Sequence, residues 1–475
     1  MTYSDESKDH IAIIGAGPAG SHAAIAAATI GAQVTLIDSY SQPGGQYFKQ
    51  LPIPFKRQAA DRHQDEAEAL IARLHHPRIT LQLQTQVLGI SGNDRKLWLH
   101  GPGAPTELEA SAIILATGAF DRPAAFPGWT LPGVISLGAA QTALKGQRVL
   151  SGKKSLLVGS GPLLLATGAA LTWGGAQVAG VLEGSTSIRR LPPHHWRALW
   201  GHWARLREGG SYLRTLKRAK VPYRLGWGIV EALGTPKKGV VGAVIAPLDK
   251  HWQTVTKKAR KIQCDAICIG YGFIPETALS RLAGAAHTYN VELGGWVPVR
   301  DPFLQTTVHA LYAVGEGAGI GGAVQSAVEG QIAGTAAASL LRAQPNNSDP
   351  MHRMQPVFKE LDRQRSFQRL YGRLFTAEAG IYTWAQDDTI LCRCESVTRD
   401  SVATAVGLGA HSVTAVKGIT RAGMGACQGR LCSHLIAGHI AQITGKSIAS
   451  CGQFSARAPI YPLSIGDVFT DGEKS

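Results

Sequence analysis

Four of the seven cysteines fall between positions 392 and 432. They form two close pairs, Cys392 and Cys394 in "LCRCESVT", then, after 32 residues, Cys427 and Cys432 in "ACQGRLC". Four thiolates in such an array suit a soft centre in roughly tetrahedral sulfur coordination, which is zinc or an iron–sulfur cluster. Zinc ribbons favour a C-x-x-C knuckle, and C-x-C is unusual for them. The second pair lies in "GITRAGMGACQGRLC", where a glycine-rich loop can aim backbone N–H groups at sulfur and tune a cluster's potential. Cys451 is outside the pattern. His434 and His439 are ordinary helix residues beside it, not needed as ligands when four cysteines are present.

A second kind of chemistry is written in glycines. "GAGPAG" supplies Gly15, Gly17, Pro18, Ala19 and Gly20, and Asp38 follows 18 residues after the last glycine. The first glycine permits a tight turn and the second lets backbone approach a pyrophosphate at a helix N-terminus. The third lets helix and strand pack closely, and the acid takes a ribose hydroxyl. "GSGPLL" repeats the pattern about 144 residues later with Gly159 and Gly161, and Glu183 stands where a ribose contact belongs. Leu164 replaces its third glycine, and Leu165 and Ala166 stand where an acid is usual. Three readings of this second site stay open: a nicotinamide site, an adenine-nucleotide site without redox chemistry, and a vestigial one.

The elements that must position these residues follow from hydrophobic patterning. "IAIIG" and "QVTLID" are buried parallel strands around the small-residue helix "AGSHAAIAAATIGA", one βαβ unit. Residues 154–183 repeat the order. "SAIILATGAF" and "DAICIGYGFIP" are further strands, and residues 306–334 run from strand through a glycine-rich turn to a helix that returns to the first unit. "RAQPNNSDP" reads as a linker. The expected divisions are a first dinucleotide domain over 1–148 and 285–342, a second over 149–284, a linker and helical region over 343–387, the cysteine module over 388–450, and an extended tail over 451–475.

Composition narrows the class. A chain of 475 residues that is 44% hydrophobic and 17% charged exceeds one core and excludes wholesale disorder. There is no signal-peptide pattern, and the apolar runs are about half the ~20 residues a spanning helix needs. A cytoplasmic protein is expected, where thiols stay reduced and paired cysteines favour metal or redox roles. The net charge of +15 concentrates between Arg189 and Lys261. That stretch reads as a solvated basic face, an acidic partner's dock or an anion site; no nucleic-acid fold signature accompanies it.

Further motifs occur in a telling order: "PGGQ" with Gly45 and Gln46, "LATG" with Thr117 and Gly118, and "AVGEG" with Gly315 and Glu316. Over residues 10–340 the chain resembles the two-dinucleotide-domain flavoproteins related to glutathione and thioredoxin reductases. The resemblance implies FAD at the first unit, with Glu316 in place of the usual Asp near the flavin's ribityl and phosphate region. It also implies a backbone contact to adenine at Val87. Disulfide reductases of that group carry a redox cysteine pair near the flavin, whereas here the first 263 residues hold no cysteine, and Cys264 and Cys268 lie in an apolar strand. Residues 390–446 are similar to bacterioferritin-associated-ferredoxin-like modules, which implies a [2Fe-2S] cluster on the four cysteines.

Together with "ATGAFDRPAAFPGW", "GSGPLLL" and "CRCESVT", these motifs resemble the large electron-transfer subunit of bacterial heteromeric amine dehydrogenases. That family includes opine oxidase, D-hydroxyproline and proline dehydrogenase, and hydrogen cyanide synthase subunits. It implies an α/β, Rossmann-like two-dinucleotide-domain flavoprotein with a small C-terminal helical [2Fe-2S] domain. It implies a partner subunit with its own FAD that oxidises an amino acid or opine, a respiratory electron acceptor, and a location peripheral to the inner membrane through the complex. A third small subunit, FMN at the subunit junction and the amine itself stay open. No acid–base pair or nucleophile stands out near the flavin motifs, so no catalytic residue is assigned. The Leu164 departure is shared by this family.

Overall fold

The structure is a computed structural model that describes residues 9–51, 62–186, 199–341 and 350–466. Two five-stranded parallel sheets organise it. The first runs Leu311–Ala313, Ala112–Leu115, His10–Ile14, Gln33–Ile37, Ile79–Gln82. The second runs Tyr223–Leu225, Gln177–Glu183, Lys154–Gly159, Ala266–Gly270, Val134–Ser136. Each central strand is largely apolar because both faces of its sheet are covered, one by helices and the other by an antiparallel sheet. Each unit also carries a three-stranded antiparallel sheet, over 86–109 in the first and 227–262 in the second.

The strand Val134–Ser136 hydrogen-bonds to Ala266–Gly270, and the helix Leu137–Gln147 packs on the same sheet. The second sheet thus draws in chain from before residue 149, where the glycine motif alone starts that unit. A three-residue strand without a glycine motif carries little signal, and its parallel partner lies about 130 residues away. The helix Gly322–Leu341 returns to the first unit and lies against Pro18–Ile30. A Cβ on Gly330 would overlap the carbonyl of Ala19, so the two helices meet backbone to backbone.

The cysteine module is not a detached bead. Its buried residues Leu391, Val402, Val413, Leu435 and Ile440 join one core with Trp129, Ile229 and Trp252 of the second unit. Trp384 Nε1 donates to Trp252 O at 2.8 Å, and Trp129 Nε1 to Ile390 O at 2.6 Å. Indole rings satisfy their single donor while burying large apolar area. The tail crosses to the first unit, where Ile460 N donates to Leu88 O at 2.8 Å. No helix among the described residues is long and apolar enough to cross a membrane. Of the basic stretch, Arg189, Arg190 and Arg197 lie outside the described residues.

Candidate functional site

At the first glycine loop, Gly15 has φ 103°, and a Cβ on Gly20 would overlap the Gly15 carbonyl. Both positions therefore require glycine. Gly17 caps the helix that begins at Pro18 and Ala19, leaving the loop's N–H groups for an anion at the helix N-terminus. Asp38 is 8% exposed; its Oδ2 accepts from Ala16 N at 2.6 Å and its Oδ1 from Tyr40 N at 2.8 Å. Burial raises its pKa against those two N–H groups and Lys49. Each oxygen keeps a lone pair for a ribose hydroxyl.

The other motifs close around this loop. Gly45 stacks on Gly17, and Gln46 bridges Tyr40 and Thr142, 2.7 and 3.1 Å away. Thr117 Oγ1 donates to Glu276 O at 2.7 Å, and beside Gly118 the space is open. Gly315 N donates to Glu329 Oε2 at 2.9 Å, and Glu316, its pKa raised by burial, accepts from Gly322 N. Val87 is buried in the core with Ile14 and Ile37. A helix N-terminus, a buried acid and an open glycine edge form a cradle suited to the FAD that the fold implies.

Sequence reasoning passed over Glu329. It is 1% exposed and takes Arg300 Nη1 at 3.0 Å and Gln325 Nε2 at 3.1 Å besides Gly315 N. Its only signal was a carboxylate inside a helix of small residues.

The second glycine loop is built alike. Gly161 has φ 106°, and its N–H donates to Glu183 Oε2 at 2.8 Å; Glu183 Oε1 accepts from Ser185 N at 2.8 Å. Leu164 is fully buried among Leu137, Leu157 and Leu171, so the missing glycine is filled by core packing. Glu183 is 1% exposed, and burial pushes its pKa up to about 7 against the N–H groups of Gly161 and Ser185.

What covers this loop was not legible. The helix Pro350–Phe375 ends on it: Ser160 Oγ donates to Phe375 O at 2.9 Å and Ser185 Oγ to Leu374 O at 2.5 Å. A Cβ on Gly161 would sit 2.9 Å from the Tyr371 hydroxyl.

The four cysteines come together as two pairs. Cys392 and Cys432 are buried and hydrogen-bonded to each other, and the more exposed Cys394 and Cys427 form the second bonded pair. Cys392 ends the strand Ile390–Cys392, and Cys432 caps the helix Ser433–Thr444. The Cys432 thiol holds the Cys392 thiol down to about 5, helped by the N–H groups of Gly423, Glu395 and Cys394 against burial. Gly423 N lies 3.5 Å from Cys392 Sγ.

A two-iron cluster takes its thiolates two by two, which this donor set fits. Cys451 Sγ donates to Ser447 O instead. Burial pushes Cys264 to about 12 and Cys268 to about 11, and both are packed in cores. His434 and His439 are pushed down to about 3 and about 4 by burial; His434 Nε2 lies 3.0 Å from Pro123 O.

Cluster loop and second unit are joined directly. Arg430, between Cys427 and Cys432, donates from Nε to Glu276 Oε2 at 2.6 Å and from Nη1 to Ile460 O at 3.0 Å. A cavity of about 100 Å³ lies between the two units beside this pair; Arg122, Arg281, Arg430 and Glu276 line it with Phe120 and Trp296. Neither Glu276 nor Arg430 was singled out from sequence.

Residues 9–334 match the family described as pyridine nucleotide-disulphide oxidoreductase, and residues 390–442 the BFD-like [2Fe-2S] binding domain. The chain is 32% identical over 464 residues to hydrogen cyanide synthase subunit HcnB of Pseudomonas aeruginosa, covering 95% of this chain and 96% of that one. It is 29% identical over 474 residues to an opine oxidase subunit of Agrobacterium tumefaciens, covering 96% and 90%. In fold it is similar to L-proline dehydrogenase from P. horikoshii, with TM-score 0.69 at 20% identity over 97% of this chain and 79% of that one. Its full-length likeness to these oxidoreductase subunits and the two matched domains agree: the chain belongs to the pyridine nucleotide-disulphide oxidoreductase family and ends in a BFD-like [2Fe-2S] binding domain.

Proposed function

We propose that this chain is the electron-transfer subunit of a heteromeric amino-acid or opine dehydrogenase. A partner subunit with its own FAD oxidises the C–N bond, and electrons leave through this chain's FAD and [2Fe-2S] cluster to a respiratory acceptor. The observation that carries the reading is the join between the two cofactor sites. Thr117 and Gly118 of the flavin cradle exchange hydrogen bonds with the backbone of Glu276, whose carboxylate holds Arg430, and Arg430 Nη1 reaches Cys427 O at 3.5 Å. Fixed polar contacts hold the cradle and the cluster loop in one geometry, as electron transfer between them needs.

Two features weigh against a self-contained NAD(P)H reductase. The end of the helix Pro350–Phe375 lies on the second glycine loop where a pyrophosphate would go. Its backbone carbonyls accept the hydroxyl donors of Ser160 and Ser185. Cysteines for a disulfide relay are also missing from the first 263 residues.

The residues Arg122, Arg281 and Arg430 around the inter-unit cavity outnumber its one carboxylate, a balance that suits the phosphate of an FMN at the subunit junction. A peripheral place at the inner membrane and a third, small partner complete the assembly. The hydrogen cyanide synthase relatives favour a second reading for the donor, glycine rather than an opine.

Anaerobic titration tests the proposal. Flavin bleaching is expected only when the amine-oxidising partner and its amine are both added; bleaching of the isolated chain by NADH would sink it.

A further inference from the structure

The helix Trp203–Arg218 buries Leu216 against the second unit. Its outward positions recur at three- and four-residue spacing and so share one face. That face carries Trp203, Leu206 and Leu213, at 53%, 40% and 44% exposure, interleaved with exposed Arg207, Arg214 and Lys217. The helix's acid, Glu208, points elsewhere and accepts from the Tyr212 hydroxyl. Trp200, 74% exposed, meets Trp203 edge to face at 5.6 Å.

Two indoles held largely in water are costly, and tryptophan rings favour the level of lipid headgroups. Basic side chains between them match anionic lipid phosphates. A protein-binding face would be expected to be poor in lysine and to seat its aromatics in a pocket, whereas Lys217 stands on this face and the rings project from a convex helix. We propose that this face docks the protein on a membrane surface rich in anionic phospholipid. The indoles enter the headgroup region and Arg207, Arg214 and Lys217 contact lipid phosphates. The inference rests on the proposed function only for its purpose, which is to bring the exit for electrons beside a membrane acceptor.

The test is co-sedimentation of the full chain with phosphatidylcholine vesicles, with and without phosphatidylglycerol. Binding is read without amine or dye, so it fails separately from the electron-transfer reading. The chain is expected to pellet with the anionic vesicles only, with a blue shift of tryptophan emission, and to be released by salt. The triple variant Arg207→Glu, Arg214→Glu, Lys217→Glu is expected to bind at least about a hundredfold more weakly. Trp200→Ser with Trp203→Ser should lose the blue shift. Flavin and cluster absorbance unchanged in both variants will establish that they fold. No pelleting with anionic vesicles, or pelleting that both variants retain, would overturn the proposal. So would finding this face covered by the amine-oxidising partner in the complex.

Discussion

Arg430 and Glu276 form a 2.6 Å ion pair, 12% and 6% exposed, across the boundary between the cluster loop and the flavin-binding units. Arg430 also lies 4.5 Å from the Tyr461 ring, so tail, cluster loop and second unit meet at one guanidinium. Removing one partner of a buried pair leaves an uncompensated charge, at a cost of about 3–5 kcal/mol.

Glu276→Gln is therefore expected to loosen the cluster loop while leaving the cysteines in place. Iron content should stay at the wild-type level, and cluster reduction after flavin reduction should slow about tenfold or more. Stopped-flow absorbance with the partner and amine present reads both steps. An unchanged rate would show that the pair serves stability alone.

Cys392→Ser removes a buried thiol of the proposed cluster site, and the nearby histidines, engaged or held neutral by burial, offer no substitute. The variant should lose its iron and all acceptor reduction while keeping FAD and the partner's KM for amine. Cys451→Ser should keep full iron content. Iron analysis and electron paramagnetic resonance of the reduced proteins distinguish the two.

Glu183 yields a prediction about pH. Burial raises its folded pKa from 4.5 to about 7, so between those values the folded protein binds more protons than the unfolded chain. Stability from this group is then present at low pH and lost as pH rises from about 4.5 through 7, by about 3 kcal/mol in all. Glu183→Gln should flatten that slope in urea titrations across the window. A slope identical to wild type would mean that the carboxyl titrates normally.

Much of this was legible in the sequence. Gly15, Gly20 and Asp38 announce the first site because a tight turn, a close helix–strand contact and a ribose acceptor each demand a residue type at a fixed spacing. Cys392, Cys394, Cys427 and Cys432 do the same for the cluster. What stayed hidden depends on contacts between distant segments. Glu276 and Arg430 are 154 positions apart, and Tyr371 reaches Gly161 from the end of a segment that reads only as helical. Cys264 and Cys268 read as lying in one apolar strand, yet they pack in separate cores because Cys264 precedes the strand Ala266–Gly270. Local pattern fixes an element's type; it does not say which surface will lie on it.

The helix pair at the first site gives the last prediction. Gly330 lies against the backbone of Ala19, the second residue of the helix whose N-terminus faces the cofactor groove. Alanine there would drive a methyl group into the Ala19 carbonyl, and backbone on both sides leaves no side chain to yield. Overpacking of this kind costs about 1–3 kcal/mol. Because the strain falls on the first turn of the pyrophosphate-facing helix, its effect should reach the cofactor before the rest of the fold. Gly330→Ala is expected to lower the melting temperature and to weaken FAD retention during gel filtration, with iron content unchanged. The neighbouring exposed substitution Gln331→Ala, at a position whose side chain faces solvent, should do neither. Equal loss of FAD and iron in Gly330→Ala would mean that the whole chain unfolds as one unit, and the helix contact would have no separate role in holding the flavin.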